Sequence, residues 1–190
     1  MITDISEPKR APEPLKVLQR FVNSVSFERG EEELDSPEAL KSWLVERDLM
    51  SPDDPVSEGD LRRAIDVREG LRALLFANNG HDLDTGSVER LDRAASRAGV
   101  CLHFDREDGS LRLEPDASGV DGAIARLMGD VARATHEGSW ARLKACPEHT
   151  CRWAFYDHSK NRSARWCSME TCGNMAKARA YRARQRGTKA

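Results

Sequence analysis

The chain has 190 residues, 39% hydrophobic and 33% charged, with a formal net charge of −2. That length allows one domain or one domain with a small appendage, and the composition excludes a disordered, collagenous or membrane chain. No apolar run approaches the roughly 18 residues needed to cross a bilayer. Met1–Pro8 has neither the basic start nor the apolar core of a signal peptide, so the sequence predicts a cytoplasmic protein with reduced thiols.

Residues 1–16 are rich in Pro and charge and read as frayed. Phe21 to Phe27 reads as a short strand or a helix start, and periodicity does not decide between them. Ser36-Pro37-Glu38 is a helix opening, with Ser as cap, Pro in the first turn and Glu at the positive end of the dipole. That helix carries Leu40, Trp43 and Leu44. A Pro-containing loop at 51–55 leads to a second helix, opened by Ser57 and closed by Asn79-Gly80. Leu61, Ile65, Arg68, Leu71 and Leu75, and likewise Leu61, Ala64, Arg68, Leu71 and Leu74, give stripes that follow the helical period. A third helix is predicted over Thr85–Arg97, with Val88, Leu91 and Ala95 inward. Val100–Phe104 and Leu111–Leu113 alternate about Asp108-Gly109, a hairpin signal. Cys101 alternates with Leu102 and Phe104 and reads as a buried thiol. A long helix is predicted from Gly119 to Lys144, running straight into the last segment.

That segment holds four cysteines in a symmetric pattern. Cys146 and Cys151 enclose four residues, fifteen more follow, and Cys167 and Cys172 again enclose four. Two thiol pairs separated by a hairpin-sized insert suit one tetrahedral zinc ion, with sulfurs about 2.3 Å from the metal. Trp153–Tyr156 reads as a strand and Ala164–Trp166 as its return. Gly173 reads as a position needing unusual backbone freedom. Asn174 to Arg186 reads as a helix rich in Ala. The aromatic residues Trp153, Phe155, Tyr156 and Trp166 read as a mini-core around the metal. Residues 140–190 contain twelve Lys or Arg against three acidic residues, so residues 1–139 carry a net charge of −11. Such asymmetry points to an anionic partner for the basic part.

The stretch from Cys146-Pro147-Glu148 to Cys172-Gly173-Asn174 resembles the CGNR zinc finger. That pattern has Arg after Cys-Gly-Asn where this chain has Met175, so one basic contact of the family is missing. Phe21-Val22-Asn23-Ser24-Val25 and Leu71-Arg72-Ala73-Leu74-Leu75 are similar to the ABATE domain. The resemblance implies a stress-induced transcription regulator whose finger binds DNA. The expected fold is α+β. A mainly helical, acidic domain with a β-hairpin spans 1–139, and a small treble-clef-like four-Cys finger spans 140–190.

Cys146, Cys151, Cys167 and Cys172 are the expected ligands of one structural zinc. On the last helix Met175, Arg179, Arg182 and Arg186 form one stripe, and Lys177, Tyr181 and Arg184 form the next. With Arg162 and Arg165 from the insert, Lys177, Arg179, Arg182 and Arg186 are the expected contacts to double-stranded DNA. Arg68, on an apolar stripe, is either a buried ion-paired residue or faces a ligand pocket alongside Asn23, which would admit a small-molecule effector. A homodimer is compatible with the sequence. No nucleophile–base set or phosphate loop is present, so no enzyme is expected. The expected location is cytoplasmic and nucleoid-associated, and the alternative role is an adaptor docking on an acidic protein.

Overall fold

The computed structural model describes residues 9–187, apart from the side chains of residues 112–114. Residues 1–8 and Lys189, part of the frayed start and of the basic tail in the sequence reading, lie outside the described residues. Residues 9–16, also expected to fray, are instead fastened. The Ala11 amide donates to the buried Gln19 Oε1 at 2.7 Å, and helix α1 (Leu15–Val22) begins at Leu15. Leu15, Leu18, Phe21 and Val22 form its buried face. The ambiguous stretch after Phe21 thus divides into the end of α1 and a strand β1 (Val25–Ser26), paired antiparallel with β2 (Glu31–Glu32).

The next two helices start where local chemistry puts them. Ser36 accepts from the Ala39 amide at the head of α2 (Pro37–Val45). Ser57 and Asp60 form a reciprocal capping box at the head of α3 (Glu58–Asn78). At the far end of α3, Gly80 adopts φ 82°, and the His81 and Gly80 amides reach back to the Phe76 and Ala77 carbonyls. That is a Schellman stop. Helix α4 (Thr85–Ala98) packs tightly on α3 at Gly70, where an added Cβ would lie 2.7 Å from Leu91 Cβ. Its buried stripe is Ser87, Leu91, Ala94 and Ala98, one position away from the predicted Val88 and Ala95.

Strands β3 (Val100–Phe104) and β4 (Leu111–Pro115) form the expected hairpin, with Leu102 opposite Leu113 and Phe104 opposite Leu111. Leu102, Phe104 and Leu111 are all exposed, and Cys101 is only half-buried, so the predicted buried thiol is not found.

Helix α5 (Gly119–His136) stops well before the predicted Lys144. Gly138 takes φ 71°, and the Ser139 and Gly138 amides bond to the Ala134 and Thr135 carbonyls, a second Schellman stop. A single 3-10 turn (Trp140–Arg142) then leads into strand β5 (Leu143–Ala145). There is therefore no stiff helical linker. β5 pairs antiparallel with β6 (Ala154–Tyr156), and not β6 with residues 164–166 as the sequence suggested. A π-turn (Met169–Gly173) and helix α6 (Asn174–Gly187) complete the described chain. The fold is α+β, mainly helical, ending in a small finger with four converging cysteines.

One hydrophobic core runs through α1 to α5 and also takes in Leu143, Ala145, Ala154 and Tyr156. Among the described residues, no helix is long and apolar enough to cross a membrane.

Candidate metal centre

The first thiol pair sits in the turn of the β5–β6 hairpin. The Glu148 carbonyl accepts from the Cys151 and Arg152 amides at 2.9 and 3.0 Å, and Arg152 exits in the left-handed region at φ 53°. The Cys146 amide closes the turn on the Trp153 carbonyl at 2.9 Å. These bonds hold Cys146 and Cys151 side by side on the same turn. Of the second pair, Cys172 lies in the π-turn that leads into α6, where the Ser168 hydroxyl caps the Thr171 amide, and Cys167 comes just before that cap. Gly173 lets Met169 and Trp166 close over it and has no unusual φ. Its Cβ would meet Met169 Sδ at 2.6 Å and Trp166 Cδ1 at 3.3 Å, and its φ is not in the left-handed region.

All four sulfurs lie within 4.8 Å of one another, with Cys151–Cys167 at 3.5 Å and Cys167–Cys172 at 3.6 Å. A tetrahedron of sulfurs about 2.3 Å from zinc has edges of about 3.8 Å, so the group has the right size for one ion. Without an ion the four thiols compete for charge. Hydrogen bonds from Cys151 and Cys167 draw the Cys146 thiol down to about 2. The same contact with Cys146 pushes Cys151 and Cys167 up, and burial pushes Cys172 up. One sulfur ionises at the expense of the rest, whereas a divalent metal deprotonates coordinating thiols together. Phe155 is fully buried beside Cys146 and Cys172, and Trp166 packs against the same cluster, so these two form the mini-core read from the sequence. Tyr156 instead joins the main core, and Trp153 is only half-buried. The four thiolates suit a single structural zinc.

Two ion pairs with buried carboxylates frame the centre, and sequence reasoning identified neither. Glu148, in the first turn, is fully buried, and both of its carboxylate oxygens are taken by the Arg179 guanidinium, with Nη1 to Oε1 at 2.9 Å. His149 Nδ1 lies 2.9 Å from the same Oε1. Lys144 sends its three Nζ hydrogens to Asp157 Oδ2 and to the carbonyls of Arg162 and Ala164. Asp157 also accepts from Ser159 and from the Ala164 amide. This pair organises the loop after β6, on which Arg162 and Arg165 are exposed. The one signal in the sequence was a Lys between Leu143 and Ala145 in an apolar strand.

The finger is fastened to the preceding helices by side chains. Asn23 bonds Ala154 on both its amide and its carbonyl, at 2.7 and 2.9 Å, as a neighbouring strand would. Gln19 adds a bond to the same carbonyl. Asn79 holds the Ala145 and Arg165 carbonyls, and Asn78 those of Trp140 and Leu143. Arg72, almost fully buried, reaches the Arg152 and Val22 carbonyls. Arg68 makes a two-pronged pair with Glu32 and a bond to Ser24, while Asn23 turns to Ala154. On α6, Lys177, Arg182 and Arg186 are exposed and Arg179 is committed to Glu148.

Comparison with known families agrees with this architecture. The CGNR zinc finger matches residues 142–185, which contain all four cysteines. The ABATE family, described as "Putative stress-induced transcription regulator", matches residues 16–137. Neither description is that of an enzyme. A search of curated proteins finds no match to the chain. Because the ABATE match covers more than half of the sequence and the converging thiols fall inside the CGNR match, the chain belongs to the ABATE family and closes on a CGNR zinc finger.

Proposed function

We propose that this protein is a transcription regulator that binds double-stranded DNA through α6 and the loop after β6. The observation that carries this reading is the position of α6. The segment leading into it supplies half of the metal centre, Cys167 and Cys172, and every residue from Lys177 to Arg186 is exposed. A structural zinc therefore presents a cationic helix to solvent. Lys177, Arg182 and Arg186 supply phosphate contacts from the helix, and Arg162 and Arg165 from the loop. Arg forks suit phosphate oxygens and guanine edges. A nucleoid location follows from such binding.

The test is fluorescence anisotropy of the zinc-loaded full chain with duplex DNA across a salt series. Each neutralised phosphate contributes about −0.9 to the slope of log affinity against log salt, so five contacts give a slope of roughly −4 to −5. Replacing Lys177, Arg182 and Arg186 together by Ala should shorten that slope by nearly 3. Binding that ignores salt, or a slope unchanged in the triple variant, would sink the proposal.

A further inference from the structure

We infer that the Glu148–Arg179 pair is a second anchor that fixes the direction of α6, which makes Arg179 a positioning residue and not a DNA contact. This rests on the DNA-binding reading above and refines it.

Apart from the π-turn that feeds it, no other element among the described residues packs extensively against α6. Ala176 is half-buried, and every residue from Lys177 to Arg186 is exposed, so no apolar face seats the helix. The metal centre holds it only from its N-terminal end, through Cys167 and Cys172 in the segment that leads into it. A rod held at one end pivots. Arg179 lies seven residues beyond Cys172, about 10 Å along a helix axis. Its guanidinium returns to Glu148, whose backbone is locked by the turn between Cys146 and Cys151. The helix is thus fixed at two separated points, and two points set a direction. The geometry also argues against a phosphate contact by Arg179. Both terminal nitrogens already face the buried carboxylate, and drawing them to DNA would take its two-pronged partner away from that buried charge.

The variants Arg179→Ala, Glu148→Gln and the double change distinguish positioning from contact. If Arg179 were a DNA contact restrained by Glu148, then Glu148→Gln would release it, tighten binding and steepen the salt slope by about one unit. Positioning predicts the opposite sign. Each single variant should weaken DNA binding about tenfold at unchanged slope, and the double variant should be no worse than either single one. A DNA-independent measurement accompanies this. Backbone ¹⁵N relaxation should show α6 as rigid as α3 in the parent chain, and α6 alone loosened in Arg179→Ala, with full zinc by metal analysis.

An α6 that stays rigid in Arg179→Ala, one already loose in the parent, or zinc lost from that variant would each overturn the inference. Should the parent chain bind no DNA at any salt, the functional reading fails by itself, and the relaxation arm still decides whether the pair orients the helix.

Discussion

Asp157 shows how much a single side chain in the finger depends on its surroundings. Burial would raise its carboxyl, but the bond from Lys144 and those from Ser159 outweigh that and hold it at about 2, below the ordinary 3.8. A carboxyl held low adds stability above its unfolded value, and the gain disappears as pH falls toward the folded one. In urea titrations, the advantage of the parent over Asp157→Asn should be constant above about pH 5 and shrink between about pH 4 and 2. A difference that does not vary across that range would show that the fold does not hold the Asp157 carboxyl below its ordinary value. The thiol ligands were legible in the sequence because spacing alone brings them to one ion. Lys144, Asp157 and Glu148 were not, because a buried charge is recognisable only once its partner, 13 or 31 residues away, is in place.

Among the elements, capping chemistry was the most legible. Ser36, Ser57 and Asn79-Gly80 mark helix ends through bonds that span only a few residues. Gly138 carried the same kind of signal as Gly80, yet Trp140 and Leu143 continued the helical period and hid it. The strand pairing of the finger was missed for a related reason. β5 is three residues long, too short to show alternation, and its partnership with β6 is made by the metal-binding turn between them. Gly70 gives an element-scale prediction. Ala is the better helix former by up to about 1 kcal/mol, but here its methyl would press on Leu91 and on the Ser87 carbonyl, 3.1 Å away. Overpacking of this kind costs about 1–3 kcal/mol, so Gly70→Ala should lower the urea midpoint, and a raised midpoint would show that α3 and α4 can part.

Taken whole, the molecule has its finger strands in the main core while α6 stands outside it. Stripping zinc with a strong chelator should therefore release α6 and leave α1 to α5 folded. Circular dichroism would then show a partial loss of helix, and the cooperative urea transition of the body would persist. Complete unfolding on chelation would show that the metal holds the core as well. The sequence pointed to an acidic body and a basic end. It gave no sign that Asn23, Asn78 and Asn79, residues typical of turns, would turn their amides onto the finger backbone.

The strand-like grip of Asn23 on Ala154 also limits how such a finger can be reused. Grafted onto an unrelated protein, the cassette would carry its metal site but leave the Ala145, Ala154 and Arg165 carbonyls without their donors. A working chimera has to inherit the first and third helices along with it, so in evolution the two are expected to travel as one unit.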